Sequence, residues 1–245
     1  MSGVLAEGIG IDGGADNDTI TSNNTITVKT TADVSVTSTS NADSYATFGG
    51  ALSRGVSDAS AEVLTEATGI SGGTGNDIIS SYALVDVEAK SIGSVTATSN
   101  VNADVTFGGA SSEAASDTSV TKQGSATGID GGDGNDVITN YNTLNVRAKV
   151  DGEVRSEANA DADATFGSTS SITTTAANLE GAVDTKGIIG GGGDDTVTNL
   201  GRVDSIADAT LYVKNSSVAT AESTFGSSDA RAYSVSTLQG KASSL

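Results

Sequence analysis

The sequence predicts an all-β protein, a parallel β-solenoid of four 59-residue repeats. Three observations predict it: a repeat of constant length, strict two-residue alternation, and an inward face of small side chains. One block starts at Gly10, Gly69, Gly128 and Gly187, so every interval is 59 residues. A second marker, Thr-Phe-Gly, recurs at Phe48, Phe107, Phe166 and Phe225 with the same step. No insertion or deletion separates the copies. Loops normally absorb such changes, so a repeat without them is expected to stack in register along its whole length.

The expected divisions are residues 1–9 as the tail of a preceding repeat, then 10–68, 69–127, 128–186 and 187–245. Val4 and Leu5 align with Val63 and Leu64, which makes the prefix the tail of a unit. Neither end carries a distinct polar capping repeat, which solitary repeat proteins usually need. An excerpt of a longer array and a subunit that stacks end to end both fit this pattern.

Each unit opens on a glycine-rich turn and continues as strand. In the third unit Leu144, Val146, Ala148, Val150 and Val154 alternate with Asn145, Arg147, Lys149, Asp151 and Arg155. That is period two, with one face buried and one wet. The segment 136–146 carries a corner at Asn140–Asn142. After Phe48-Gly49-Gly50 the apolar phase slips by one residue, to Ala59, Ala61 and Val63. A slip of one marks a bend or bulge, and glycine suits both. The Thr-Phe-Gly ladder reads as core packing before that bend.

The inward face is mostly Ala, Ser, Gly and Val. A sandwich core ~10 Å thick needs larger residues, whereas stacked identical coils bring each side chain onto its own copy. A single coil of 59 residues would hold a strand almost 80 Å long, roughly four times the usual length. Several coils of about 20 residues per unit are therefore expected.

Composition narrows the function. The chain has no His, Cys, Pro or Trp, and 12 basic against 31 acidic residues give a net charge of −19. Zinc, haem and iron–sulfur sites lack their usual ligands. Ser-His-Asp and Cys-His nucleophiles are excluded. The charge opposes a phosphate backbone, so nucleic acid is not an expected partner. No apolar run reaches the ~20 residues of a membrane span. No unit diverges from the others in the way a catalytic site would require, so no enzyme is expected.

The motif that carries chemistry is G-G-x-G-x-D-x-U-x, a nonapeptide that binds calcium in parallel β-rolls. Residues 72–80, 131–139 and 190–198 match it in full. Residues 13–21 match except that Asp16 stands where the others have Gly75, Gly134 and Gly193. Glycines let the backbone turn so that carbonyl oxygens converge on a hard cation, and the aspartate adds charge. Calcium accepts six to eight such oxygens, and magnesium fits less well.

These nonapeptides resemble the hemolysin-type (RTX) calcium-binding repeats of secreted bacterial proteins, and the wider unit is similar to arrays in giant bacterial surface proteins and adhesins. The resemblance implies Ca2+ as the bound ion. It also implies a ligand set at Gly13, Asp16, Asp18, Gly72, Gly75, Asp77, Gly131, Gly134, Asp136, Gly190, Gly193 and Asp195. The family sets its nonapeptides in tandem, while here one occurs per 59 residues. If a unit holds three coils, each motif needs further ligands nearby, such as Asp12, Asp130 or Asp133. Outward carboxylates such as Asp161 and Asp163 read as a solvated face.

The expected function is that of a calcium-stabilised structural solenoid, extracellular or on a bacterial cell surface. It would form or extend a filament, stalk or coat by head-to-tail stacking on copies of itself. The alternative is a spacer or ligand-binding segment of a large repeat adhesin, in contact with other cell-surface components.

Overall fold

The computed structural model describes residues 2–245. The protein is all-β and its strands pair in parallel throughout. Its elements are β1 (Ser2–Asp12), β2 (Thr19–Ser22), β3 (Ile26–Ser71), β4 (Ile78–Ser81), β5 (Val85–Asp130) and β6 (Val137–Asn140). They continue with β7 (Leu144–Phe166), β8 (Thr169–Ile189), β9 (Thr196–Asn199), β10 (Val203–Phe225) and β11 (Ser228–Ser244).

The register fixes the architecture. Ile26 lies beside Val85, Val85 beside Leu144, and Leu144 beside Val203. Every such step is 59 residues, and the short strands β2, β4, β6 and β9 keep it too. Each unit is thus one complete coil, and the expectation of several coils per unit is wrong. That expectation rested on ordinary strand lengths. A strand whose neighbours above and below have the same length has no reason to stop early, because every backbone group finds its partner one layer away.

Each coil runs out along one long strand, turns at the Thr-Phe-Gly marker and runs back along a second. Gly49, Gly108 and Gly167 make the turn at φ 105°, 139° and 144°. The phase slip in the sequence is therefore a bend. In β3 and β5 the backbone pairing carries on around it, so outward and return runs form one continuous element. An outward run such as the 23 residues of β7 spans about 75 Å. The Asn140–Asn142 corner is also present, with the buried Asn140 amide donating to the Asn142 carbonyl at 2.8 Å.

The coil is a wedge. At the glycine-turn end Ile70, Ile79, Val85, Val87, Ile129, Ile138, Leu144 and Val146 fill a three-sided core. Towards the bend the core thins to Ala51, Ala103, Val105, Ala110, Ala162 and Ala164. There the two runs are close enough for a serine side chain to cross. Ser53, Ser116 and Ser171 donate to the opposite-run carbonyls of Ala42, Ala97 and Ala160 at 2.7, 2.8 and 2.7 Å. One Cβ and one Oγ bridge the layers, so this part is thinner than a ~10 Å sandwich.

The core also accommodates non-identical copies. Lys122 is fully buried where the other coils have Val63, Gly181 and Gly240. Its Nζ donates to the carbonyls of Gly93, at 2.5 Å, and Asp151, at 2.6 Å. Gly93 makes room, since a Cβ there would sit 2.9 Å from Nζ. Two coils further on Leu211 is the large residue, and a Cβ at Gly181 would lie 2.8 Å from it.

The Thr-Phe-Gly ladder differs from its expected place. Phe48, Phe107, Phe166 and Phe225 stack at centroid distances of 5.2, 5.0 and 4.9 Å, nearly parallel. They stand outside the bend rather than in the core, with Phe107 still 42% exposed between two neighbours. The chain turns under them, which moves an inward-phase residue to the outer edge.

Candidate metal edge

The four nonapeptides lie directly above one another at the thick edge, between the return run and the short strands. All twelve predicted ligand residues belong to this one column of turns. Bridges from Ala15 to Thr74, Thr74 to Asp133 and Asp133 to Gly192 tie the layers together.

The glycines have two separate duties. Gly14, Gly73, Gly132 and Gly191 hold φ near +100°, where a Cβ is disfavoured. Gly13, Gly72, Gly131 and Gly190 make room for a carboxylate, since a Cβ on Gly72 or Gly131 would lie 2.6 Å from Oδ2 of Asp77 or Asp136. Gly75, Gly134 and Gly193 combine both duties, with φ 134°, 144° and 123° and the carbonyl of the layer beneath inside contact distance of a built Cβ. Asp16, at φ 77°, is the one non-glycine residue with positive φ among the described residues.

The aspartates form a buried column. Asp77 and Asp136 are 0% and 1% exposed. One carboxylate oxygen of each accepts a backbone N–H from the layer below. Asp18 N–H donates to Asp77 Oδ1 at 2.7 Å, Asp77 to Asp136 at 2.8 Å, and Asp136 to Asp195 at 2.9 Å. The other oxygen, Oδ2 of Asp18, Asp77 and Asp136, is buried without a hydrogen-bond partner. Beside it a second ladder runs the other way, with Asn17, Asn76 and Asn135 accepting N–H groups from the layer above at 2.7, 2.8 and 2.8 Å.

The implied carbonyl ligands are less free. The Gly14, Gly73 and Gly132 carbonyls accept hydrogen bonds from Thr74, Asp133 and Gly192 of the next layer at 2.8, 2.9 and 2.8 Å. They serve the stacking. Asp130 caps its own turn, accepting from Gly132 N–H at 3.2 Å. Among the described residues no three acidic side chains converge as a metal cluster. The residues still fit a hard cation on two grounds. The orphaned buried oxygens are carboxylate oxygens, and each faces a cradle that a single Cβ on the adjacent glycine would fill. Asp18, Asp77, Asp136 and Asp195 are the residues that would hold it. Sequence reasoning missed the asparagine ladder, although Asn at three of four equivalent positions was its visible signal.

Outside this edge the outward face carries a shallow groove of about 630 Å³ beside the phenylalanine ladder. Tyr45, Asp104, Asp163, Glu222 and the four marker threonines line it. Burial, then repulsion from Asp104 and Glu222, raises the Asp161 carboxyl above its usual range. Asp163 is raised by burial and by its acidic neighbours Asp161, Asp104 and Glu222. No helix is long and apolar enough to cross a membrane.

No family model matches this chain, and no curated protein or solved structure matches it either. The fold and the edge stand on their own geometry: the molecule is a parallel β-solenoid of wide, thin coils.

Proposed function

We propose that the protein is a calcium-stabilised structural solenoid that builds or extends an extracellular bacterial filament, stalk or coat. One observation carries the reading, the buried aspartate column whose second oxygens have no protein partner. A row of like charges at ~4.8 Å spacing is unfavourable without a counter-ion. A divalent cation held by the fold and not by the unfolded chain stabilises by mass action, about 2.7 kcal/mol at a hundred times its dissociation constant. Low cytosolic calcium then leaves the chain loose inside and lets it fold outside.

The open sheet edges support stacking on further copies. Below, residues 26–60 have no neighbouring strand, and above, β10 and β11 have none. Neither edge carries proline or a charged inward residue, the usual guards against pairing. Continuing the offset sets Val203 of one copy beside Ile26 of the next. It also leaves β1 and the end of β11 competing for one slot.

The test is thermal unfolding in millimolar calcium and in excess EGTA, for the native chain and for Asp77→Asn with Asp136→Asn. The reading predicts a calcium-dependent rise in Tm that the double variant loses. Equal Tm values for the native chain in both buffers contradict it.

A further inference from the structure

We propose that Asp16 is a steric brake on end-to-end stacking, admitting a layer above the first coil's turn and rejecting one below it. This rests on the stacking reading above and concerns the same interface with a second copy of the chain. Four residues occupy the fourth position of the nonapeptide: Asp16, Gly75, Gly134 and Gly193. At each of the three glycines, a built Cβ overlaps the carbonyl oxygen of the layer beneath, that of Asp16, Gly75 and Gly134 in turn. Glycine is required there because of what lies underneath, in addition to the positive φ.

Asp16 escapes the requirement because the turn of the first coil has no layer beneath it among the described residues. The neighbouring Gly14 shows the same openness: a Cβ there meets nothing within 4 Å, whereas on Gly73 it would strike Gly14. When a second copy's fourth coil is brought under the first coil in the 59-residue register, Gly193 comes to lie beneath Asp16. The Cβ of Asp16 then takes the place that must be empty over each of the other layers. The phenylalanine, aspartate and asparagine ladders continue across such a junction without conflict. Asp16 is the residue of this turn that opposes it.

The brake acts through Cβ and not through charge, which gives it a clean test. Sedimentation velocity of the full chain in millimolar calcium is compared for the native protein, Asp16→Gly and Asp16→Asn, with circular dichroism confirming β-structure in each. Asp16→Gly is expected to strengthen end-to-end association about tenfold or more, since it removes an overpacked contact. Asp16→Asn keeps the Cβ and is expected to associate like the native chain. If the native chain associates and Asp16→Gly associates no more strongly, the brake is overturned while the stacking reading stands. If Asp16→Asn gains as much as Asp16→Gly, charge rather than Cβ is responsible and the brake is again overturned. If none of the three associates, the stacking reading fails and takes the brake with it.

Discussion

Two glycines of the metal edge separate space from backbone conformation. A Cβ at Gly131 meets Asp136 Oδ2 at 2.6 Å, whereas one at Gly14 meets no atom but stands at φ 95°. Gly131→Ala is therefore expected to lose about 3 kcal/mol or more through overpacking. Gly14→Ala is expected to lose only about 1 kcal/mol from its backbone angle. Denaturant melts of the two variants check the order. Lys122 gives a pH prediction. Burial lowers its pKa from 10.5 to about 8, partly offset by the nearby Asp151 and Asp33 carboxylates. The unfolded chain then holds more protons than the folded one between pH 8 and 10.5. Stability contributed by this residue rises with pH across that window and is flat below it. Lys122→Met is expected to remove this rise, so the difference between native and variant Tm should shrink as pH increases.

At the scale of the element, the phenylalanine ladder and the wedge core make contrasting contributions. Phe107 stacks on both neighbours but remains partly exposed, whereas Ile129 is wholly buried in the thick end. Phe107→Ala is expected to lose about 1–2 kcal/mol, and Ile129→Ala about 2–5 kcal/mol. Urea titration of both decides whether the ladder is an edge decoration or a core. The alternation from Leu144 onward shows in the sequence because the side-chain period is a local property. The bend at Gly49-Gly50 shows for the same reason, since a turn must reset the phase. The position of the phenylalanines does not show, because they lie on the inward phase and only the direction of the bend puts them outside. At the metal edge the glycines and aspartates are legible as a motif. The carbonyls spent on stacking are not, because that use depends on which layer lies above.

For the whole molecule the coil count decides the shape. Width grows with the length of one coil, and height grows by ~4.8 Å per coil. Four coils of this width make a blade far broader than it is tall. Ordinary strand lengths pointed to narrower coils, but in-register stacking removes the limit on which that expectation relied. Spin labels at Ser60→Cys and Thr237→Cys measure the outcome, because these exposed return-run positions are linked through Ser119 and Asn178 in consecutive layers. One coil per unit places them three layers apart, about 14 Å before the label linkers are added. A dipolar distance of about 43 Å, as three coils per unit would give, would contradict the account.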